Sequence, residues 1–505
     1  MNKIISWERK VLLILFLLMA GMSLTTYIND TSVMKGGVVT AGIVMVILFM
    51  ITQKAVTRLP KSALLALVFV MVVIPRLLLI INIDAQPWND FSSTMSAAEK
   101  LASHDRSGVL GYATHFPDLI PWIVFEAIIV RLFPANPIIV IRILNCIVCG
   151  LIGVSIFIMG KKISLQMGLL AAGMYAFLPS SIVFAGVLSA QHFSAACQYM
   201  TFTLLVLNVE NNYTKFRKIT NMIIVGILLG FGQLFRPDAA PILLAVLLFL
   251  FLQYSSSYKL GQAFNKWIFS SILILTSFLI VSTGAFEVLQ QKHIISNNRL
   301  SSDLGGKFYA GLKIINGRFD MKDAQDYLSA NSEIRRNLIT QQLSYYLEHP
   351  LAYIELQSYK FDVMWGQPSP SYYWLEGNEI EILQEKVDNK VATSLEMSKL
   401  RTLNSYRRLF SSLDEGYYLW VTMLAMVGVM SLGKNYSSSS LRLLTWFSFC
   451  YIGVFFFIEV QSRYRYLLEP TLIFFAAYGM INLINLKKLH RLIIAKYSSN
   501  LNESE

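Results

Sequence analysis

Three short segments of this sequence bring acids, bases and aromatic rings together in ways that could do chemistry. The first is Pro87-Trp88-Asn89-Asp90-Phe91, followed by a helix-like stretch from Ser92 to Leu101 that could hold the Asp90 carboxylate rigidly as a base. Asp is also a preferred helix cap, and the local pattern suits both roles. The second is Arg236-Pro237-Asp238. Arginine suits phosphate because its planar fork keeps its charge and donates several hydrogen bonds, although an arginine at a helix end also snorkels to an interface without further purpose. The third is Glu459-Val460-Gln461-Ser462-Arg463-Tyr464-Arg465-Tyr466. Interleaved arginine and tyrosine fit an aromatic and cationic belt at lipid headgroups as well as a site. Three arginines beside an acidic loop residue on one face of a membrane would suit an anionic headgroup and a base.

Other polar motifs are less telling. Cys146 and Cys149 have a C-x-x-C spacing, yet they, Cys197 and Cys450 all lie in apolar runs with no second ligand pair. They read as small apolar residues of buried helices.

The elements that must position these groups follow from composition. Of 505 residues, 55% are apolar and 15% charged, where a soluble domain carries about a quarter charged. The net charge of +12 does not point to nucleic acid, because Lys and Arg sit mainly in short connectors between apolar runs. A helix needs about 20 mostly apolar residues to cross the hydrocarbon. Windows of that kind fall near Val11–Asn29, Val38–Thr52, Ala63–Ile83, Ile138–Met159, Gly168–Gly186 and His192–Leu207. Further windows fall near Met222–Phe235, Ala239–Gln253, Trp267–Phe286, Tyr417–Leu432, Leu441–Ile458 and Tyr466–Leu486. The expected fold is therefore an all-α polytopic membrane protein with about twelve transmembrane helices. The first apolar run reads as a retained helix that also directs insertion.

Charge assigns the sides. If Ile120–Phe133 spanned, Lys161 and Lys162, then Lys215, Arg217 and Lys218, and the tail with Lys487, Lys488 and Arg491 would all face outward. Reading that stretch as an amphipathic interfacial helix returns every cluster to the cytoplasm together with Arg9, Lys10, Lys54, Arg58 and Lys61. Both termini are then cytoplasmic, in a multi-pass protein of the cell membrane. The expected organisation is N-terminal helices over 1–83, an external loop with interfacial helices over 84–137, and a transmembrane core over 138–286. An extracytoplasmic domain over 287–416, C-terminal helices over 417–486 and a cytoplasmic tail over 487–505 complete it. Within the external domain, helical periodicity from Asp323 to Leu347 closes at His349-Pro350.

At these residues the chain resembles the C-type (GT-C) polytopic glycosyltransferases, specifically bacterial relatives of protein mannosyltransferases and lipid A aminoarabinose transferases. The resemblance runs from about Gln86 to Gly479 and lies in the order of features. The early external Asp90 is followed by His115-Phe116-Pro117 through Leu132-Phe133 and then Arg142-Ile143-Leu144-Asn145. Leu178-Pro179-Ser180 precedes the turn Leu188-Ser189-Ala190-Gln191-His192; Phe235-Arg236-Pro237 follows, and Glu459 to Tyr466 precedes the last span. His349-Pro350 through Lys360 to Trp365 is similar to the external region of Gram-positive members.

The resemblance implies a polyprenyl-phosphate sugar donor and catalysis on the extracytoplasmic side. It implies that Asp90 is the general base for an inverting attack on the anomeric carbon. Arg236 and Arg463, with Arg465 and Lys360 as further candidates, would hold the lipid phosphate. His115, Arg142, Gln191, His192, Glu459 and Tyr464 would contact substrate, and the acceptor would be an envelope glycan, glycolipid or protein. Many relatives carry an acid where this chain has Gln191, so no metal ligand is assigned; a divalent cation is left open as cofactor. Two other readings predict many spans: a surface polysaccharide polymerase or ligase, which does not require the early Asp, and a lipid-linked sugar transporter, which predicts broken helices and polar residues at the bilayer midplane.

Overall fold

The structure is a computed structural model that describes residues 2–29, 33–54, 60–83, 86–107, 109, 116–295, 304–313, 327, 330–366, 371–377, 379–432 and 438–484. His115 and the tail 487–505 lie outside them. Every regular element among the described residues is helical.

Among the described residues, seven helices are long and apolar enough to cross a membrane: Trp7–Ile28, Gly36–Gln53, Ser62–Asn82, Pro137–Lys161, Lys215–Phe235, Ala239–Ser257 and Leu260–Gln291. Their outward faces carry apolar side chains such as Ile14, Ile81, Leu244 and Ile280, as lipid contact requires. Between Lys215–Phe235 and Leu260–Gln291, glycines set the approach. A Cβ on Gly226 would come 2.7 Å from Ser277 Cβ, and one on Gly230 would come 2.7 Å from Val281 Cβ. These two helices therefore pack through a small-residue groove one turn apart.

Four other expected spans fall on helices that are shorter or more polar. His192–Leu207 lies on Gln191–Glu210, whose inner face buries Gln198, Thr201 and Thr203. Tyr417–Leu432 is the end of a 37-residue helix, Ser394–Met430, while Leu441–Ile458 falls on Ser439–Val454 and Tyr466–Leu486 on Glu469–Ile484.

The window Gly168–Gly186 is not one helix. It divides into Leu165–Ala176 and Pro179–Phe184, because Pro179 lacks an N–H and drives Leu178 into an extended conformation. The break frees carbonyls inside the protein, and side chains from other helices meet them. Arg76 Nη1 donates to Ala176 O at 3.2 Å, Arg76 Nη2 to Tyr175 O at 3.2 Å, and Tyr417 Oη to Met174 O at 2.6 Å. Arg76 Nη2 also donates to Ser181 Oγ at 2.8 Å. A fully buried arginine within a span thus acts as the cap of a broken helix.

Ile120–Leu132 has 13 residues, too short to span at about 1.5 Å per residue. It packs against Asp90–Ala102 with the C-terminal ends of the two helices together, Arg131 Nε donating to Ala102 O at 3.0 Å and Arg131 Nη2 meeting His104 Nε2 at 2.6 Å. The buried face is mostly apolar, with Ile120, Trp122, Ile123, Ala127 and Ile129, and takes in the helix's acid as well. Glu126 is fully buried beside Thr94 and Trp122, whereas Ile128, Leu132 and Phe133 are exposed. Exposed apolar side chains beside the exposed Arg131 suit a helix at the edge of the lipid. Burial holds the Glu126 carboxyl well above the ordinary range.

The helix closing at His349-Pro350 is Ser332–Glu348, capped by Asn331, which accepts the Ile334 N–H at 2.9 Å; of the periodic stretch before it, 323–326 and 328–329 lie outside the described residues. Beyond it, Pro350–Phe361, a π-turn at Asp362–Gly366, Ser371–Glu376 and Glu379–Asp388 lead into Ser394–Met430. Met364, Trp365, Tyr372 and Leu375 join the same core cluster as the long helices, and Tyr418 Oη donates to Trp365 O at 2.6 Å. That packing brings Ser371–Glu376 to the start of Asp90–Ala102.

Candidate functional site

Asp90 is the first residue of its helix, and Asn89 is the cap. Asn89 has φ 53° and ψ −130°, a backbone region close to glycine-only that costs about 1–3 kcal/mol in other residues. Its carbonyl explains why it persists: it accepts the Ser92 N–H at 3.1 Å, the Ser93 N–H at 3.1 Å and the Ser92 hydroxyl at 2.8 Å. Trp88 is fixed from the other side by Tyr373, edge-on with ring centroids 4.9 Å apart. Gly377 passes this indole with φ 65°, and a Cβ there would lie 2.6 Å from Trp88 Cγ. The segment before Asp90 is therefore clamped by a tight turn and by aromatic packing from a distant part of the chain.

Asp90 meets Arg463 across the fold. Arg463 Nη2 donates to Asp90 Oδ2 at 2.8 Å, with side-chain exposures of 12% and 36%, so the pair lies where a ligand can displace one partner. The Arg463 guanidinium lies 4.6 Å from the Trp374 ring centroid, and Gln191 Nε2 donates to Arg463 O at 3.4 Å. Tyr464 links this pair to the second arginine: Arg236 sits 4.5 Å from the Tyr464 ring centroid while pairing with Asp238, and Tyr464 Oη donates to Glu459 Oε1 at 2.7 Å. Burial raises the Glu459 carboxyl above its usual range, against the pull of Tyr464, Lys307, Arg463 and Arg236. Asp118 is raised in the same way by burial, with Lys307 opposing and Asp238 adding to the shift.

Hydrogen-bonding capacity is left over here. Arg463 Nε and Glu459 Oε2 are buried with no hydrogen-bond partner among the described residues. Buried groups of this kind favour a polar ligand that meets them. Asp90, Arg463, Arg236, Tyr464, Glu459 and Gln191 are thus brought together, joined by Asp118, Asp238, Lys307 and Trp374.

Four other expected site residues face elsewhere. Lys360 is buried behind Glu459, donating to Gly311 O at 3.0 Å and Phe456 O at 3.3 Å. Burial lowers its ammonium to about 8, with Glu459 opposing. Arg465 pairs with Glu469 at 3.2 Å, lies 4.1 Å from the Tyr418 ring centroid and donates to Met364 O at 3.3 Å. Arg142 Nε donates to Gly186 O at 2.7 Å while Asn145 Nδ2 donates to Val187 O at 2.9 Å, so the two brace the turn after the broken helix. His192 Nε2 lies 2.9 Å from Phe184 O, which can only accept, so Nδ1 accepts from Tyr466 Oη at 2.8 Å. His115 falls outside the described residues.

Asp118, Lys307 and Trp374 were not legible as site residues. Asp118 follows the His115-Phe116-Pro117 motif, and that adjacency was the only available signal; the other two arrive through tertiary packing. Among the described residues, no group of three or more His, Cys, Asp or Glu side chains converges as a metal site. No protein-family model, no curated protein and no solved structure matches this chain.

Proposed function

We propose that this membrane protein is a glycosyltransferase that moves a sugar from a polyprenyl-phosphate carrier to an envelope glycan, glycolipid or protein on the extracytoplasmic face. The topology that goes with this reading is about twelve spans with both termini cytoplasmic. The observation that carries it is the partly exposed Asp90–Arg463 pair joined through Tyr464 to Arg236, in a chain whose long helices are built for lipid. Its order of features also resembles the C-type glycosyltransferases.

In this mechanism the donor phosphate draws Arg463 from Asp90 and settles against Arg463 and Arg236. Asp90, no longer held by Arg463, accepts the proton of the acceptor hydroxyl as that oxygen bonds to the anomeric carbon. The bond between the anomeric carbon and the phosphate oxygen breaks with inversion, and its electron pair leaves on the phosphate, where the guanidinium groups stabilise the charge. Glu459 holds Tyr464, and Tyr464 spaces the two arginines.

The test is incubation of purified protein with a panel of polyprenyl-phosphate sugars and an envelope extract as acceptor. Release of free polyprenyl phosphate with sugar appearing on the acceptor is expected; intact donor across the panel would refute the reading. One observation favours a second reading, a lipid-linked sugar transporter: the helix broken before Pro179, with Arg76 at its centre, has the form of a discontinuous transport helix. Movement of lipid-linked sugar across proteoliposomes without covalent transfer would select it.

A further inference from the structure

A cavity lies beside the Asp90 site. It has a volume of about 140 Å³ and is lined by Ser180, Tyr372, Arg407, Phe410, Ser411 and Asp414 among others. Arg407, Phe410, Ser411 and Asp414 recur at helical spacing, so one face of Ser394–Met430 forms its long wall. The short helix Pro179–Phe184 and the segment Ser371–Glu376 close it.

The lining restricts what can enter. An enclosed cavity of roughly 150 Å³ takes benzene, and this one is half-open, so a single ring can seat in it with its substituents reaching the mouth, while a disaccharide cannot. A purely apolar ring would desolvate Asp414, Ser411 and Arg407 without return. An anion would find the cavity's cation already engaged, because Arg407 Nη1 pairs with Glu376 at 3.2 Å. Asp414 Oδ1 accepts the Ser180 N–H at 2.9 Å, which fixes the carboxyl at the wall. Burial raises that carboxyl to about 8, with Glu469 adding to the shift, so near neutrality it offers a donor as well as acceptors. Tyr372 and Phe410, stacked with centroids 6.2 Å apart, add apolar ring surface. A neutral ring rimmed with hydroxyls and faced with C–H groups satisfies all of these surfaces at once.

We propose that this cavity is a second carbohydrate site, which binds a single neutral pyranose ring. Tyr373, which lines it, also packs edge-on against Trp88, two residues before Asp90. A glycan held here therefore lies next to the Asp90 clamp. Binding itself does not depend on the transferase reading.

Saturation-transfer NMR on the full-length protein in nanodiscs, with methyl glucoside, methyl galactoside and methyl mannoside as probes, tests the assignment. Ring-proton signals are expected from at least one probe, unchanged in Asp90→Asn. They should vanish in Ser411→Phe, which fills the cavity, and binding should weaken about tenfold in Asp414→Ala, which loses one hydrogen-bonding group. The Asp414→Ala variant removes atoms without adding bulk, so it tests the site even if Ser411→Phe misfolds. Absence of signal from all three probes at millimolar concentration, or wild-type signal in Asp414→Ala and in folded Ser411→Phe, would overturn the proposal. Glycoside binding without sugar transfer would leave this site standing and remove only the transferase reading; transfer without glycoside binding would do the reverse.

Discussion

Arg463 and Arg465 are two residues apart on one short turn, Ser462–Leu467, yet they occupy opposite kinds of surroundings. Arg463 is partly exposed and borrows its carboxylate from Asp90, far away in the chain. Arg465 is 1% exposed, takes its carboxylate from Glu469 one turn further on and lies over Tyr418. The turn is a 3-10 helix with about three residues per revolution, so side chains two apart point about 120° away from each other. A cation whose partner is distant and solvent-accessible can exchange it for a ligand. One whose partner is local and buried holds the fold.

The largest effect that would break this contrast lies on the buried side. Arg465→Met leaves Glu469 without its counter-ion and should destabilise the protein by about 3–5 kcal/mol, read as lost folded yield and a lower unfolding temperature in detergent. Arg463→Met should cost less, about 1 kcal/mol, because the Asp90 carboxylate it leaves is 36% exposed and can be hydrated. Its effect should appear instead as weaker binding of polyprenyl phosphate in a tryptophan-quenching titration. Equal stability losses in the two variants would dissolve the distinction.

A smaller effect sharpens the account of how Asp90 is held. Gly377→Ala must take a positive φ and meet Trp88, at about 1–3 kcal/mol. It should lower activity more than it lowers the unfolding temperature, because the clamp on Trp88 gives way first. Loss of stability with full activity per folded molecule would show that the clamp does not position Asp90.

Lys360 gives a pH test on a third cation. Its ammonium is lowered to about 8 in the folded protein by burial, whereas an unfolded lysine titrates near about 10.4. Between these values the unfolded chain binds more protons, so stability should rise with pH across that window. Denaturation of wild type against Lys360→Met should show the difference growing in favour of wild type from pH 8 to 10; a flat difference would mean that Lys360 is well solvated. The smallest effect is expected for Asn89→Gly, which relieves the strained backbone and should stabilise by under about 1 kcal/mol while lowering turnover. Destabilisation by this change would show that the Asn89 side chain contributes more than its backbone conformation.

Lipid-built helices and the polar segments at Asp90, Arg236 and Glu459–Tyr466 were legible because length, hydropathy and charge are local properties of a sequence. Which arginine turns toward Asp90 was not, since Arg463 and Arg465 have the same composition around them and differ by a turn geometry set in tertiary packing. The broken helix had a local signal in Leu178-Pro179, but an uninterrupted apolar window masked it. Arg76 was hidden for a related reason: one charge in a strongly apolar run hardly alters its average, although its donors cap the break. Ile120–Leu132 reads as an amphipathic helix, but its acid, Glu126, turns inward while Ile128, Leu132 and Phe133 are exposed, an orientation fixed by tertiary packing.

The central claim is that Asp90 takes the acceptor's proton while the arginines hold the donor. Its most direct test is single-turnover transfer by purified Asp90→Asn protein alongside a measurement of polyprenyl-phosphate binding. The account predicts a rate lowered by about 10²- to 10⁴-fold, with carrier binding retained or tightened because Arg463 loses its competing carboxylate. Transfer at the wild-type rate in that variant would contradict it.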